Sequence, residues 1–289
     1  MHVQRSVGFI GLGAMGMGMA RNLLAAGYDV LAYDVAAEPL QRLVSQGARQ
    51  AANPAEIGQA CHQVMVMVVN GEQVEAVVSG ADGLLQTMAR GGTILVHSTI
   101  GLSELRRVAA QASAKGVHVI DCPVSGGVEG AAEGRLTILC GGEDAVFEAH
   151  RPLLDVVGAY VAHMGPLGTG LVGKLANNLI LGVGRLAIGE AFAMAKQAGL
   201  SPEVLYKTMI TCTADSKQLR SLEGAILRGE YPPATFHGLK DLTAAVDSGR
   251  AVTQAMPVTN LARELYQLID AKLGGLHGSN EVLRYFLED

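Results

Sequence analysis

A glycine-rich segment near the start of the chain constrains the fold more than any other feature. The apolar run Val7–Ile10 leads into Gly11-Leu-Gly-Ala-Met-Gly16, and a helical pattern follows through Leu24. The first glycine permits a tight turn, the second lets a phosphate approach the backbone, and the third lets the helix pack closely on the sheet. Free amides at the start of that helix would face the phosphates. The segment therefore predicts a dinucleotide site with contacts from Gly11, Leu12, Gly13, Ala14, Met15 and Gly16.

An acidic residue at the end of the next predicted strand supports this interpretation. Val30–Tyr33 has the pattern of a second strand, and Asp34 follows it, 18 positions after Gly16. A carboxylate there accepts hydrogen bonds from the ribose hydroxyls of NAD and repels the 2′-phosphate of NADP. No arginine occurs among Val35–Glu38 to hold such a phosphate, so the sequence favours NAD over NADP. A structural glycine turn beside a solvated aspartate is the alternative interpretation.

Composition and charge exclude several functional classes. The chain has 289 residues, of which 49% are hydrophobic and 17% charged, as is typical of a compact globular protein long enough for two domains. Its formal net charge is −5 and it has no cluster of lysine or arginine, so we expect no nucleic-acid partner and no membrane-surface partner. No apolar run reaches the roughly 18–20 residues that a membrane span needs.

The cysteines and histidines predict neither disulfides nor a metal site. The four cysteines are scattered without a CxxC pair, and the eight histidines show no HExxH or other paired spacing. The sequence enters its first strand within a few residues of Met1, with no recognisable targeting segment. Reduced thiols and a cytoplasmic location are therefore expected.

Strand-like and helix-like segments alternate along the first half of the chain. A continuous apolar run such as Val64–Val69 is typical of a strand in a parallel sheet covered by helices on both faces. The pattern predicts an α/β fold with a Rossmann-type, doubly wound sheet over residues 1–164. From about Gly165 only helical patterns occur, which predicts an all-α domain over 165–289. It opens with a long helix over about 169–198, ended by Gly199.

The predicted carboxyl ends of the strands mark the position of a ligand crevice. Ligands of doubly wound sheets bind outside these ends, so the residues that follow the strands should face a common space. The residues expected there are Gly11, Asp34, Asn70, Thr99 and the segment Asp121–Ser125.

Three further patches carry polar groups suited to chemistry. The turn Ser125-Gly-Gly127 offers backbone amides and a hydroxyl that would cradle a substrate carboxylate. Lys174 and Asn178 share a helix face among apolar residues, and burial lowers the pKa of a lysine towards the range of a general acid/base. The third patch is Phe236-His-Gly-Leu-Lys240-Asp-Leu242. Taken singly, an ordinary turn, a solvated lysine and a charged helix start are alternative interpretations.

Together these motifs resemble the β-hydroxyacid dehydrogenases, the family of 3-hydroxyisobutyrate, tartronate semialdehyde and L-threonate dehydrogenases. The resemblance covers nearly the whole chain in the family's order, and four motifs in register are far more specific than one. The matching segments are Gly11-Leu-Gly-Ala-Met-Gly16 with Met19-Ala20 and Asn22-Leu23, Asp121-x-Pro-Val-Ser-Gly-Gly127, Gly168-x-Gly170-x-x-x-Lys174-x-x-Asn177-Asn178, and Lys240-Asp241-Leu242.

The resemblance implies how the substrate is bound and converted. Lys174 is implied to be the catalytic general acid/base at the substrate hydroxyl or carbonyl, and Asn178 to orient the substrate beside it. Ser125, Gly126 and Gly127 are implied to hold the carboxylate of a small acid.

The resemblance also implies further cofactor contacts and an assembly. Lys240, supported by Asp241, is implied to lie near the nicotinamide, while Val69, Asn70 and Thr99 line the cofactor. Family members are usually homodimers or homotetramers built through the helical domain.

The function implied is NAD-dependent interconversion of a small β-hydroxyacid and its semialdehyde or keto acid, similar to 3-hydroxyisobutyrate dehydrogenase. The branch stays open. Met17-Gly18 and the segment Val68–Gln73 look like the L-threonate branch, whereas the pair Asn177-Asn178 is commoner in the 3-hydroxyisobutyrate and tartronate semialdehyde branches.

Three other classes are weighed against this function. A 6-phosphogluconate-type enzyme is much longer and needs basic residues for the phosphate of its substrate. Imine reductases share the fold but usually lack the lysine that Lys174 supplies. A catalytically silent scaffold would have lost that lysine, which is present here with Asn178 and the Ser-Gly-Gly turn.

Overall fold

The structure, a computed structural model, describes residues 6–231, 237–275 and 279–288. It divides the chain into two units, Met1–Lys174 and Leu175–Asp289. The boundary predicted from the sequence, 164/165, lies where the last strand ends, at Gly165. The helix that follows, Thr169–Gln197, belongs to both units.

A mixed sheet forms the centre of the first unit. Six strands pair in parallel in the order β3, β2, β1, β4, β5, β6. β8 joins β6 in antiparallel orientation, and both β7 and β9 pair with β8. In chain order the strands are β1 (Ser6–Ile10), β2 (Asp29–Tyr33), β3 (Arg49–Gln50), β4 (Gln63–Val66), β5 (Thr93–Val96), β6 (His118–Asp121), β7 (Val124–Ser125), β8 (Leu136–Gly141) and β9 (Gly158–Gly165).

The direction of winding reverses at β1. This strand pairs with β2 on one side and with β4 on the other, so consecutive strand–helix units extend outwards from it in both directions. Such a switch point leaves a crevice at the carboxyl ends of the strands. The predicted Rossmann-type sheet is thus confirmed, with an antiparallel junction at β6 and β8 that the alternation of segments did not show.

Helices cover the two faces of the sheet because successive strand residues point to opposite sides. Phe9 and Met65 belong to a buried cluster with Leu23 of the first helix, whereas Gly8 faces Ile57, which its missing Cβ would overlap. The helices of this unit are α1 (Gly16–Ala25), α2 (Ala37–Val44), α3 (Pro54–Ala60), α4 (Gly71–Ser79), α5 (Leu102–Ala114), α6 (Gly127–Ala132) and α7 (Asp144–Val157), with a 3₁₀ turn at Leu84–Gln86.

The described residues of the second unit are helical, as predicted. Their core packs around Tyr266 and Leu242, both fully buried. Gly182 lets Leu242 approach to 3.0 Å from where a Cβ would stand. The helices are α8 (Thr169–Gln197), α9 (Pro202–Met209), α10 (Lys217–Ser221), α11 (Glu223–Arg228), α12 (Gly238–Ala251), α13 (Pro257–Leu273) and α14 (Arg284–Leu287), with a 3₁₀ turn at Ser279–Leu283.

The long helix α8 matches the predicted range of about 169–198. Gly199 follows it with φ +80°, the left-handed conformation expected of a helix-ending glycine. By length and apolar composition alone, α8 would be able to cross a membrane. Core helices of globular proteins also meet these two criteria. The other described helices do not meet them.

Candidate active site

The glycine loop between β1 and α1 has the geometry expected of a phosphate cradle. Gly11 adopts φ +95°, and a Cβ there would overlap the Met67 carbonyl oxygen, so only glycine fits. A Cβ at Gly16 would overlap the Gly11 carbonyl oxygen, which explains the glycine at the start of α1. A Cβ at Gly13 would instead meet no atom within 4 Å. The loop is therefore packed tightly at both ends and open in the middle, where a ligand can approach the backbone.

Asp34 links the end of β2 to this loop. One carboxylate oxygen accepts a hydrogen bond from the Leu12 amide at 2.5 Å, and the other accepts from the Ala36 amide at 2.7 Å. The side chain is half-buried, while the neighbouring Val35 is 88% exposed. Each carboxylate oxygen has a further lone pair, so Asp34 keeps acceptor capacity for a ribose hydroxyl.

The loops after β4 and β5 are held to each other. The Val68 amide donates to the Ser98 hydroxyl oxygen at 2.9 Å. Asn70 is the N-cap of α4, because its side-chain oxygen accepts from the Gln73 amide at 2.9 Å. Of the cofactor residues expected here, Val69 is 63% exposed, and Asn70 and Thr99 are half-buried.

The Ser-Gly-Gly turn follows β7 directly. Ser125 ends the strand, and Gly126 and Gly127, the first residue of α6, have φ of +137° and +68°. Two successive residues with positive φ require glycine and turn their amides out of the strand. Gly126 is exposed, and Ser125 and Gly127 are half-buried, so the turn is accessible to an anion.

Asp121, expected among the crevice residues, instead has a buried structural position. It is 1% exposed, and its carboxylate accepts hydrogen bonds from the amides of Gly168 and Leu171, both at 2.6 Å. Burial raises the pKa of Asp121 to about 6, against the opposing effect of these amides. The carboxylate thus fastens the start of α8 to the end of β6. Its partners lie 47 and 50 residues away, so sequence spacing carried no signal for this contact.

Lys174 lies in the second turn of α8, which Asp121 fastens. Its side chain is half-buried, and the adjacent Leu171 and Leu175 are almost fully buried. This agrees with the partly apolar surroundings predicted from the sequence. Lys174 and the turn at Ser125 both belong to the first unit. The start of α8 contacts the end of β6 through Asp121, and the turn follows β7.

A polar cluster in the second unit surrounds Asn178, one helical turn after Lys174. Asn178 is 3% exposed; its side-chain nitrogen donates to the Asp241 carboxylate at 3.0 Å, and its side-chain oxygen accepts from Asn177 at 3.0 Å. The Lys240 ammonium lies 3.3 Å from the second Asp241 oxygen. The structure therefore brings Asn178, Asp241 and Lys240 together, a grouping that the sequence motifs did not specify.

His97 is a buried titratable group that sequence reasoning missed. Its Nδ1 lies 2.8 Å from the Cys122 carbonyl oxygen, and burial lowers its pKa to about 4. The imidazole is therefore neutral near pH 7, with Nδ1–H donating to that carbonyl. The position immediately after a central parallel strand is the signal that would have identified it. Within the described ranges, no group of three or more histidine, cysteine or acidic residues is arranged to hold a metal ion.

Comparison with known proteins accounts for nearly the whole chain. Residues 6–165 match the family described as the NAD binding domain of 6-phosphogluconate dehydrogenase. Residues 168–286 match the family described as NAD-binding of NADP-dependent 3-hydroxyisobutyrate dehydrogenase.

Full-length relatives are named dehydrogenases. A probable mitochondrial 3-hydroxyisobutyrate dehydrogenase of Dictyostelium discoideum is 34% identical over 94% of this chain and 87% of its own length. An L-threonate dehydrogenase of Cupriavidus necator is 33% identical over 98% and 97%. A solved structure, 3-hydroxyisobutyrate dehydrogenase of Mycobacterium tuberculosis with L-serine, is 28% identical with a TM-score of 0.88 and covers 97% and 98%. The chain therefore belongs to the β-hydroxyacid dehydrogenase family of NAD(P)-dependent oxidoreductases, as its four motifs predicted.

Proposed function

We propose that this protein oxidises a small β-hydroxyacid to its semialdehyde or keto acid, with NAD as the hydride acceptor, in the manner of a 3-hydroxyisobutyrate dehydrogenase. The observation that carries the proposal is the placement of Lys174. It is half-buried beside Leu171 and Leu175 on a helix that Asp121 fastens to β6. A lysine held in partly apolar surroundings is suited to proton transfer at a substrate hydroxyl.

The glycine loop supports a dinucleotide as cofactor. The open space beside Gly13 would be filled by any side chain, and glycine leaves it accessible to a pyrophosphate. Residues 11–16 would bind the phosphates and Asp34 the adenosine ribose, while Val69, Asn70, Thr99 and Lys240 would complete the cofactor contacts. The nicotinamide, when bound, supplies the hydride acceptor.

The chain's own residues would then handle the charge and the proton. Ser125, Gly126 and Gly127 would hold the substrate carboxylate through the hydroxyl and the turned-out amides. Lys174 would accept the hydroxyl proton, and the ammonium so formed would stabilise negative charge on the substrate oxygen. Asn178 would fix the orientation of the substrate one turn along α8.

The choice of NAD over NADP rests on Asp34. Its carboxylate accepts hydrogen bonds from the Leu12 and Ala36 amides, and with the adenosine ribose bound beside it, its negative charge would repel the 2′-phosphate of NADP. Val35, which follows it, is exposed and apolar and offers no positive charge.

The substrate and the cofactor are tested together by initial-rate oxidation of a panel of acids with NAD and with NADP. The panel comprises 3-hydroxyisobutyrate, glycerate, L-serine, 3-hydroxypropionate, 4-hydroxybutyrate and L-threonate. We expect one β-hydroxyacid, 3-hydroxyisobutyrate in the first place, to give a kcat/KM well above the others with NAD. The highest kcat/KM with L-threonate or glycerate would assign the chain to the L-threonate or tartronate semialdehyde branch. Negligible rates throughout, despite measurable NADH binding, would contradict the proposal and favour an imine reductase or a silent scaffold.

The role of Lys174 is tested by Lys174→Ala. Loss of the proton-transferring group should lower kcat by about 10²- to 10⁴-fold, while NADH affinity stays close to that of the wild type. Lys196→Ala is the matched control, because Lys196 lies in the last turn of the same helix. The control should retain near-normal turnover. Near-normal turnover of Lys174→Ala would rule out the proposed mechanism.

We further propose that the enzyme is a cytoplasmic homodimer or homotetramer that associates through its helical unit. Large apolar side chains of this unit face solvent in the single chain, among them Ile180 and Met194 of α8 and Val258 and Leu261 of α13. Each is more than 60% exposed and would be available for contact with a second copy of the chain. Light scattering coupled to size-exclusion chromatography would show a mass of two or four chains, and a monomer would contradict this assembly.

A further inference from the structure

The buried carboxylate of Asp241 needs an explanation beyond the pairing with its neighbour in sequence. It is 4% exposed, and burying a carboxylate is costly unless each oxygen finds a partner. One oxygen accepts a hydrogen bond from the Asn178 side chain at 3.0 Å. The other lies 3.3 Å from the Lys240 ammonium, an ion-pair contact without a hydrogen bond. The contact with Asn178 joins residues 63 positions apart.

This contact decides which way the Asn178 amide points. An ionised carboxylate only accepts hydrogen bonds, so the NH₂ end of Asn178 has to face Asp241. The opposite end, the carbonyl oxygen, accepts from Asn177 at 3.0 Å, which agrees with that orientation. The contacts given for the described residues leave one N–H and one oxygen lone pair of the Asn178 side chain unused, in a fixed direction.

We propose that Asp241 is a positioning residue that acts through Asn178, by fixing the orientation of its side-chain amide. The inference rests on the proposed function, in which Asn178 orients the substrate. A misplacement of about 1 Å in a reacting group can cost a hundredfold in rate, so the orientation of this amide matters to turnover.

The kinetic test is a double-mutant cycle with Asp241→Asn and Asn178→Ala, using NAD and the panel acid that the wild type oxidises fastest. Asp241→Asn should lower kcat/KM roughly 10- to 100-fold. In the Asn178→Ala background the same change should have little further effect, because Asp241 acts through Asn178. Independent, additive losses would overturn the proposal. Asp247→Asn is the control, since Asp247 is half-exposed on the same helix and should leave kcat/KM unchanged.

A second measurement reports on the contact itself and does not require that Asp241→Asn fold. In wild-type protein labelled with ¹⁵N-asparagine, the side-chain amide protons of Asn178, assigned by their loss in Asn178→Ala, should exchange slowly with solvent. Fast exchange in the wild type would overturn the proposal even if Asp241→Asn did not fold. A third outcome is slow exchange in the wild type that becomes fast in Asp241→Asn, with normal turnover of Asp241→Asn and Asn178→Ala. It would show that the contact exists and that Asn178 has no role in the reaction, which overturns the proposal.

Discussion

The carboxylates of Asp34 and Asp121, at the carboxyl ends of β2 and β6, accept backbone amide hydrogen bonds in opposite surroundings. Asp34 accepts from two loop amides and stays half-buried, whereas Asp121 accepts from two amides at the start of α8 and is 1% exposed. The residues that follow β4 and β5 show the same contrast in burial. Asn70 after β4 is half-buried, and His97 after β5 is fully buried.

This difference separates residues that can bind a ligand from residues that hold the framework. The open ends, after β2 and β4, lie on the strands that flank β1 and its glycine loop. The sealed ends, after β5 and β6, hold segments of the same unit together: His97 contacts the Cys122 carbonyl, and Asp121 fastens α8. Position at the carboxyl edge of a sheet therefore does not by itself make a side chain accessible to a ligand, because the residues there differ in exposure.

Exchanging each aspartate for alanine gives the largest expected contrast. Asp121→Ala leaves two buried amides without acceptors, each costing about 1–3 kcal/mol, so the free energy of unfolding should fall by about 3–5 kcal/mol. Asp34→Ala should cost only about 1 kcal/mol, because water can reach the freed amides, but it should weaken NADH binding. Urea unfolding and NADH fluorescence titration measure the two quantities.

The large loss of stability should appear in Asp121→Ala, and the loss of NADH affinity should appear in Asp34→Ala. If Asp34→Ala destabilises the fold as strongly as Asp121→Ala, or if folded Asp121→Ala loses NADH affinity as strongly as Asp34→Ala, the division into open and sealed ends is wrong. Asp29→Ala is a control, because Asp29 stands at the opposite end of β2 in an exposed ion pair with Arg49. It should change neither quantity appreciably.

The sealed end after β6 should also give a pH dependence of stability. The pKa of Asp121 is about 6 in the folded protein and about 3.8 unfolded, so the folded state binds the extra proton between these values. Its contribution to stability is present at low pH and is lost as the pH rises through 6. A shift of about two pKa units corresponds to about 3 kcal/mol at most. The free energy of unfolding of Asp121→Asn, relative to that of the wild type, should therefore increase as the pH rises from 4 to 6.

His97 should produce the opposite trend. Its pKa is about 4 folded and about 6.5 unfolded, so the unfolded state binds the extra proton between these values. The wild type therefore loses stability as the pH falls from 6.5 to 4. Over the same range, as the pH rises, the free energy of unfolding of His97→Asn should decrease relative to that of the wild type. Urea unfolding of both variants at several pH values measures these slopes. Slopes of the same sign would contradict the burial of one of the two groups.

The features predictable from sequence are those set by neighbouring residues. The glycine loop, the alternation of strands and helices and the range of α8 follow from local spacing, and the structure reproduces them. Helix α3 was not predicted, although Asn53-Pro54 is a typical helix start, with a capping side chain followed by proline. The glycine-rich α6 was also missed, because its own propensity is low. It packs against α1 where Gly18 lacks a side chain facing Ala131.

The features that sequence could not supply are contacts between distant segments. The pattern placed Asp121 among the crevice residues, since the end of a strand is a local property, but its burial depends on a helix start about 50 residues later. Likewise the motifs named Asn178 and Asp241 separately, and only the folded helices α8 and α12 bring them within 3.0 Å. Candidate residues were thus predictable, and their division into binding and supporting residues was not.

The smallest expected effect concerns two asparagine caps at the same edge of the sheet. Asn70 caps α4 after β4, next to β1, and Asn53 caps α3 after β3, the outermost strand; each accepts an amide hydrogen bond of 2.9 Å. Each alanine variant should lose about 1 kcal/mol of stability, because the lost cap is the same. Only Asn70→Ala should also weaken NADH binding, by a few-fold in a fluorescence titration. Equal NADH affinities in the two variants would show that Asn70 is a cap alone, and the ligand-facing edge would then be confined to the glycine loop and Asp34.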